Sequence, residues 1–235
     1  RGVASRESYS VMNYALIAML VCAAFGTVTG FFIAYLNVPP FIATLAMMEI
    51  VYGIGLIVTN ATPLGGYVEQ YTNVSNGKFL GINYLIWIAI IVAAITWFIF
   101  NMTRHGKYMY AIGGNPQAAE VAGVPVKATL ILIYMKAAAM YGLAGFMLGA
   151  KAGGASVQTG YGYEMEAIAA CTIGGVSVTG GRGKVSSAII GVAVFELLKV
   201  ALQYLGMNAN AQYIAIGVVI FIAISLDIRK YIARK

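Results

Sequence analysis

The sequence predicts an all-α fold: a polytopic transmembrane helix bundle with one broken or re-entrant helix and one short helix outside the bilayer. Three observations lead there. Of 235 residues, 60% are hydrophobic and only 10% charged, with a mean hydropathy of +0.82; soluble domains run near about half apolar and about a quarter charged. Several apolar runs reach the roughly 20 residues that a helix needs to cross a bilayer. The formal charge of +7 comes from basic residues that collect at the ends of apolar segments. That is the positive-inside arrangement of membrane proteins, and it speaks against nucleic-acid binding.

Seven apolar segments follow in order: residues 11–36, 41–58, 84–100, 129–150, 165–178, 185–205 and 213–227. The fifth is too short to span comfortably and runs into "GGVSVTGGRGK", so a broken or re-entrant helix is expected there. Non-helical backbone at that depth is tolerated only under cover of protein or a watery cavity. Arg104, Lys107 and Lys127 follow the third segment, and Arg229, Lys230, Arg234 and Lys235 close the chain. Placing both groups in the cytoplasm leaves Lys78 and Lys151, with Arg1 and Arg6, on the other side. Arg182 and Lys184 fall inside only if the fifth segment counts as a crossing, so the side of "GGRGK" stays open.

Residues 60–81 then form an external loop, whose N-x-[ST] matches at Asn60 and Asn73 are too short a pattern to assign glycans. Gly26 with Gly30, and Gly145 with Gly149, stand at helix-packing spacing, where Gly lets backbones approach closely in lipid. Cys22 and Cys171 read as small buried hydrophobes, without the CxxC or His partners of a metal site. His105 reads as an interfacial loop residue. Glu49, Lys136, Glu196 and Lys199 are ionisable residues inside apolar segments, which makes them candidates for a functional role. Glu196 and Lys199, three apart, are positioned to neutralise each other; Lys136 either snorkels or faces a watery path.

The stretch "YAIGGNPQAAEVAGVPVKA" is small, polar and punctuated at both ends. Gly113 and Gly114 end the preceding structure, Asn115 suits a helix N-cap and Pro116 the first helical position. Gly123 fits a C-terminal cap, and Pro125 blocks continuation. A helix of about two turns results, too short to be stable unless something packs on it. It is either a connector resting on its own bundle or a knob that docks into a soluble partner.

"AIGGNPQAAEVAGVPV" resembles the cytoplasmic loop of the ribose/galactose-type permease subunits of bacterial ATP-binding-cassette sugar importers. "GFFIAYLNVPPFIATLAMMEIVYGI", "YEMEAIAACTIGGVSVTGGRGKVSSAIIGV" and "GMNANAQYIAIGVVIFIAISLD" resemble the same family in the same order. The resemblance implies one transmembrane permease domain over residues 1–235, with residues 102–128 as a cytoplasmic coupling loop. It implies that Gly113, Gly114, Asn115, Pro116, Ala118, Ala119, Glu120 and Gly123 dock into a cytoplasmic ATPase subunit, Glu120 pairing with a basic residue there or staying solvated. It implies import of a simple sugar of galactose/methyl-galactoside type, with ribose or another monosaccharide as alternative. The expected setting is a bacterial inner membrane with the C-terminus cytoplasmic. Expected partners are the ATPase, a periplasmic or extracellular sugar-binding protein and a second permease copy. ATP and Mg belong to the ATPase, and no cofactor is expected in this subunit. The family's chains begin with further helices bearing a Gly-x-Asp-Leu-Ser-type motif. This sequence opens "RGVASRES", so it is expected to be the C-terminal portion of a longer chain.

No catalytic or metal-ligating constellation stands out, and the chain reads as non-enzymatic. "GGVSVTGGRGK" fails as a phosphate loop, because Val185 replaces the Ser or Thr that must follow Lys184. A Gly-rich break between half-helices, as transporters use near substrate paths, fits better. Gln158, Thr159, Tyr161 and Tyr163 are the candidate sugar-path residues near the external face. Glu164 and Glu166 either contact sugar or its delivery protein, or simply favour a helix N-terminus. An ion-coupled carrier using Glu49 or the Glu196/Lys199 pair, and a plain structural scaffold, are the rival readings.

Overall fold

A computed structural model describes residues 11–232; Arg1, Arg6, Arg234 and Lys235 lie outside the described residues. The helices expected from the apolar runs are all present. They are α1 (Val11–Leu36), α2 (Pro40–Thr59), α4 (Tyr84–Met102), α7 (Val126–Ala152), the short α8 (Tyr163–Ile173), α9 (Val185–Tyr204) and α10 (Ala209–Ile232). The first four of these and α9 are long and apolar enough to cross a membrane, whereas the apolar stretch of α10, Asn210–Ser225, is shorter. Three helices were not legible as apolar runs: α3 (Glu69–Asn76), α5 (Arg104–Gly114) and α6 (Pro116–Val121). Among the described residues, four two-residue strands complete the secondary structure, β1 (Leu64–Gly65), β2 (Lys78–Phe79), β3 (Ile82–Asn83) and β4 (Gly154–Ala155).

The chain groups into two compact units. One holds the residues up to 92 together with 125–160, and its spine is the crossing of α1 with α7. There the backbones touch. A Cβ on Gly26 would lie 2.5 Å from the Ala138 Cβ, and one on Gly30 would lie 2.8 Å from the Ile131 Cα. The approach is mutual, since a Cβ on Gly142 would lie 2.7 Å from Ala18 O. Lys127, at the start of α7, sits 5.0 Å from the Tyr35 ring at the end of α1, so the two helices run antiparallel. In lipid, where apolar side chains gain nothing by leaving the solvent, such close approach supplies the dispersion contacts that hold helices together. Gly145, by contrast, has open space around it, so the expectation that it packs a helix pair is corrected. Gly149 makes room for the Tyr71 hydroxyl of the short polar helix α3 rather than for another apolar helix.

That hydroxyl belongs to a small cap over the end of α7. Tyr71 donates to Phe146 O at 2.7 Å, Ser75 donates to Met147 O at 2.9 Å, and β1 pairs antiparallel with β4 through Leu64↔Ala155 and Gly65↔Gly154. The segment read as an external loop is therefore a folded piece clamped to the helix end. Burial, and then the neighbouring Tyr67, push the Tyr71 phenol above its ordinary value. The neutral donor is thus the form the fold selects, and its contribution is kept at neutral pH and lost as pH rises through the raised value. Tyr71→Phe is expected to loosen the cap by about 1 kcal/mol, read as faster hydrogen exchange in α3 with α1 and α7 unchanged.

The second unit holds residues 93–124 and those from 161 onward. Its core is Ala169 and Ala170 of α8, Phe195 of α9 and Ile216 of α10, with Ile173 and Ile220 against them. The α8–α9 contact is again main chain to main chain: a Cβ on Gly174 would meet Ser187 O, and one on Gly191 would meet Ala170 O. α8 has 11 residues, about 16 Å at 1.5 Å per residue. It is a half-helix, as the Gly-rich break suggested. One residue, Thr103, separates α4 from α5: its side chain donates to Ile99 O at 2.6 Å and accepts from Gly106 N at 3.1 Å. His105 accordingly sits in a helix and is half-buried, which corrects its reading as a loop residue.

Candidate functional site

The candidate site is the arm made of α5 and α6, and local chemistry explains its shape. Asn115 ends α5 and starts α6: its N–H donates to Ala111 O, and its side chain accepts from Ala118 N at 3.0 Å. Pro116 occupies the first helical turn, where its missing N–H costs nothing. At the other end Gly123 adopts φ +82°, which an L side chain resists. Gly123 N donates to Glu120 O at 2.9 Å and Val124 N donates to Ala119 O at 3.0 Å. Those paired bonds are a Schellman motif. A helix of 6 residues is held at both ends.

One side of α6 is rooted and the other is free. Ala119 is 4% exposed, so it faces its own chain and is not available to a partner, unlike its expected role. Asn115, Pro116, Ala118, Glu120 and Gly123 are exposed, as is Gly114. At 100° per residue, Gln117 and Val121 point away from Ala119. Both are exposed, Val121 at 90%. Sequence reading passed over these two. The signal available was their i, i+4 spacing, but it needed the knowledge that Ala119 is the inward residue.

Gly113 is half-buried, for it packs on Gly181 of the loop between α8 and α9. The "GGRGK" segment therefore lies at the same end of its unit as α6, a placement that the charges alone left open. That loop follows a helix instead of a strand, a further mismatch with a phosphate loop. Among the described residues, no group of three or more His, Cys, Asp or Glu is placed to hold a metal.

The candidate path residues divide between the units. Gln158 and Thr159 are exposed in the turn after β4, where Thr159 Oγ1 accepts from Ser156 N at 2.9 Å. Tyr161 and Tyr163, in the other unit, are exposed by 72% and 54%. Glu164 and Glu166 fall in the first turn of α8, where the helix dipole favours them. Glu166 is also committed to a partner: Lys199 of α9 donates to it at 2.8 Å, both side chains being less than a quarter exposed. Glu196 lies farther from Lys199, at 3.6 Å, and is 58% exposed. The expected Glu196–Lys199 neutralisation is thus the lesser contact, and the pair that matters staples the half-helix to α9. Glu49 is exposed on α2, and Lys136 is half-buried on α7.

Five described helices long and apolar enough to cross a membrane define an all-α membrane protein, and comparison with known proteins makes it a permease. Residues 3–224 match the family described as branched-chain amino acid transport system / permease component. The chain belongs to this permease family, on its ribose/galactose-type sugar-importer branch. It is 40% identical over 236 residues to the galactose/methyl galactoside import permease protein MglC of Escherichia coli (strain K12), covering 96% of this chain and 70% of that one. The Haemophilus influenzae protein of the same name is 40% identical over 230 residues, 94% of this chain and 68% of that one. The ribose import permease protein RbsC of Escherichia coli (strain K12) is 36% identical over 217 residues, 91% of this chain and 68% of that one. No solved structure matches the chain.

Proposed function

We propose that the chain brings a simple sugar into a bacterial cytoplasm as the membrane subunit of an ATP-driven importer. Galactose or a methyl galactoside is the first expectation and ribose the second, following the names of its relatives. A separate cytoplasmic ATPase hydrolyses ATP with Mg, a soluble binding protein delivers sugar from outside, and a second permease copy completes the path. The C-terminus and α6 face the cytoplasm, in keeping with Arg104, Lys107 and Arg229.

The observation that carries this reading is α6 itself. It is capped at both ends, rooted by Ala119, and presents Asn115, Pro116, Gln117, Ala118, Glu120 and Val121 outward. A stiff helix with one free face passes a displacement to its neighbours, whereas a floppy loop absorbs it. The permease then reopens to the other side when the ATPases close, and it supplies no chemistry of its own. By this reading Gln158 and Thr159 in one unit, and Tyr161, Tyr163 and Glu164 in the other, each offer the sugar polar or aromatic groups. The test is purification of the full-length chain from its native membrane. An ATPase with two nucleotide domains is expected to come with it, and its absence overturns the reading.

A further inference from the structure

The loop between α8 and α9 is built against the root of the arm. A Cβ on Gly181 would lie 2.6 Å from Gly114 N, and one on Gly180 would lie 3.1 Å from Gly113 O. A Cβ on Gly113 would collide with Gly181 N. Three residues away, the Tyr110 hydroxyl donates to Gly183 O at 2.8 Å. Two main chains therefore cross in direct contact, with a hydrogen bond fixing their register.

Neither side of the crossing is slack. The loop is closed on itself by Ser177 N donating to Arg182 O at 3.1 Å and Gly180 N donating to Ser177 O at 3.2 Å. Gly180 and Gly181 hold φ +91° and +71°, the left-handed region that glycine alone enters freely. At its N-terminal end the loop leaves α8 through Val176 N donating to Cys171 O at 2.9 Å; at its C-terminal end Lys184 leads straight into α9. Those two helices are locked by Gly174 beneath Ser187 O and Gly191 beneath Ala170 O. On the arm side, Asn115 is the one residue between α5 and α6, and the Tyr110 ring rests edge-on against Phe100, centroids 5.8 Å apart.

We propose that this crossing is the joint through which movement of α6 reaches the α8–α9 pair, with Gly113, Gly180, Gly181 and Tyr110 as its positioning residues. The inference rests on the reading of α6 as the ATPase-docking helix. Coupling between distant sites travels through contiguous, tightly packed elements, and packed main chains with no side chain between them have no room to slip. The half-helix α8 carries Tyr163 and Glu164 at its far end, so a push at the loop is delivered to the mouth of the proposed sugar path. A methyl group at Gly181 wedges the joint open, and loss of the Tyr110 hydroxyl frees its register, without touching the outward face of α6.

The experiment reconstitutes the full-length permease with its ATPase and binding protein in vesicles and measures sugar imported per ATP hydrolysed. A purely structural lesion lowers the amount of assembled complex but leaves that ratio alone. Gly181→Ala is expected to keep ATPase association and hydrolysis while the ratio falls about tenfold, and Tyr110→Phe to lower it by about threefold. Gly145→Ala, at a helical glycine with open space around it, leaves the ratio unchanged. A normal ratio in assembled Gly181→Ala and Tyr110→Phe complexes overturns the joint while leaving the docking of α6 intact. If Gly181→Ala does not assemble, Tyr110→Phe alone decides. If the unaltered chain binds no ATPase, the reading of α6 fails and the joint with it.

Discussion

Lys199→Met is expected to be the most damaging single substitution in the second unit. It leaves Glu166 without its cation and faces it with Glu196, which stands 3.6 Å from the same ammonium group. A carboxylate that is less than a quarter exposed loses part of its hydration, and removing its charged hydrogen-bond partner costs about 2 kcal/mol. Two carboxylates left together repel each other. That loosens α8 from α9, and the thermal midpoint of the detergent-solubilised protein should fall. The double variant Glu166→Met with Lys199→Met removes both charges at once. It should recover most of the loss, because an ion pair removed from water and replaced by apolar groups of similar size is often neutral. An equal loss in the double variant contradicts the assignment of Glu166 as the partner.

The second large effect is expected on α6. Gln117→Arg with Val121→Arg alters only the ridge opposite Ala119 and leaves the Asn115 and Gly123 caps in place. Substitutions on such an exposed face typically change stability by no more than about 0.5 kcal/mol, so expression and membrane insertion should be normal. Under the proposed docking, two long cations in place of an amide and a valine should weaken ATPase binding by about tenfold or more, and transport should fall with it. Retained ATPase association means that the outward ridge is not the docking face.

How far the fold was legible in the sequence depends on what each element owes to its own residues. Long apolar runs gave α1, α2, α4, α7 and α9 because in lipid an isolated helix satisfies every backbone group by itself. The caps of α6 were equally legible, since Asn115, Pro116 and Gly123 act on their immediate neighbours. α3 and α5 were not, because tertiary contacts help to hold them. α3 is polar in sequence and clamped by Tyr71 and Ser75 to main-chain oxygens 75 and 72 residues away; α5 leans on Gly181 and Gly183 far downstream. The Lys199 partner shows the same limit. Glu196 was the visible choice at helical spacing, while Glu166 is 33 residues away and comes near only when α8 packs on α9.

The account turns on the side of the membrane that α6 faces and on what covers it there. With Cys22, Cys171 and any further cysteine of the full-length chain replaced by Ala, Val121→Cys offers a single reporter thiol on the outward ridge. A membrane-impermeant maleimide should label it in inside-out vesicles stripped of the ATPase, fail to label it in intact cells, and be blocked when the ATPase is added back. Labelling of intact cells from outside, or labelling of stripped vesicles that the ATPase leaves unchanged, contradicts the account.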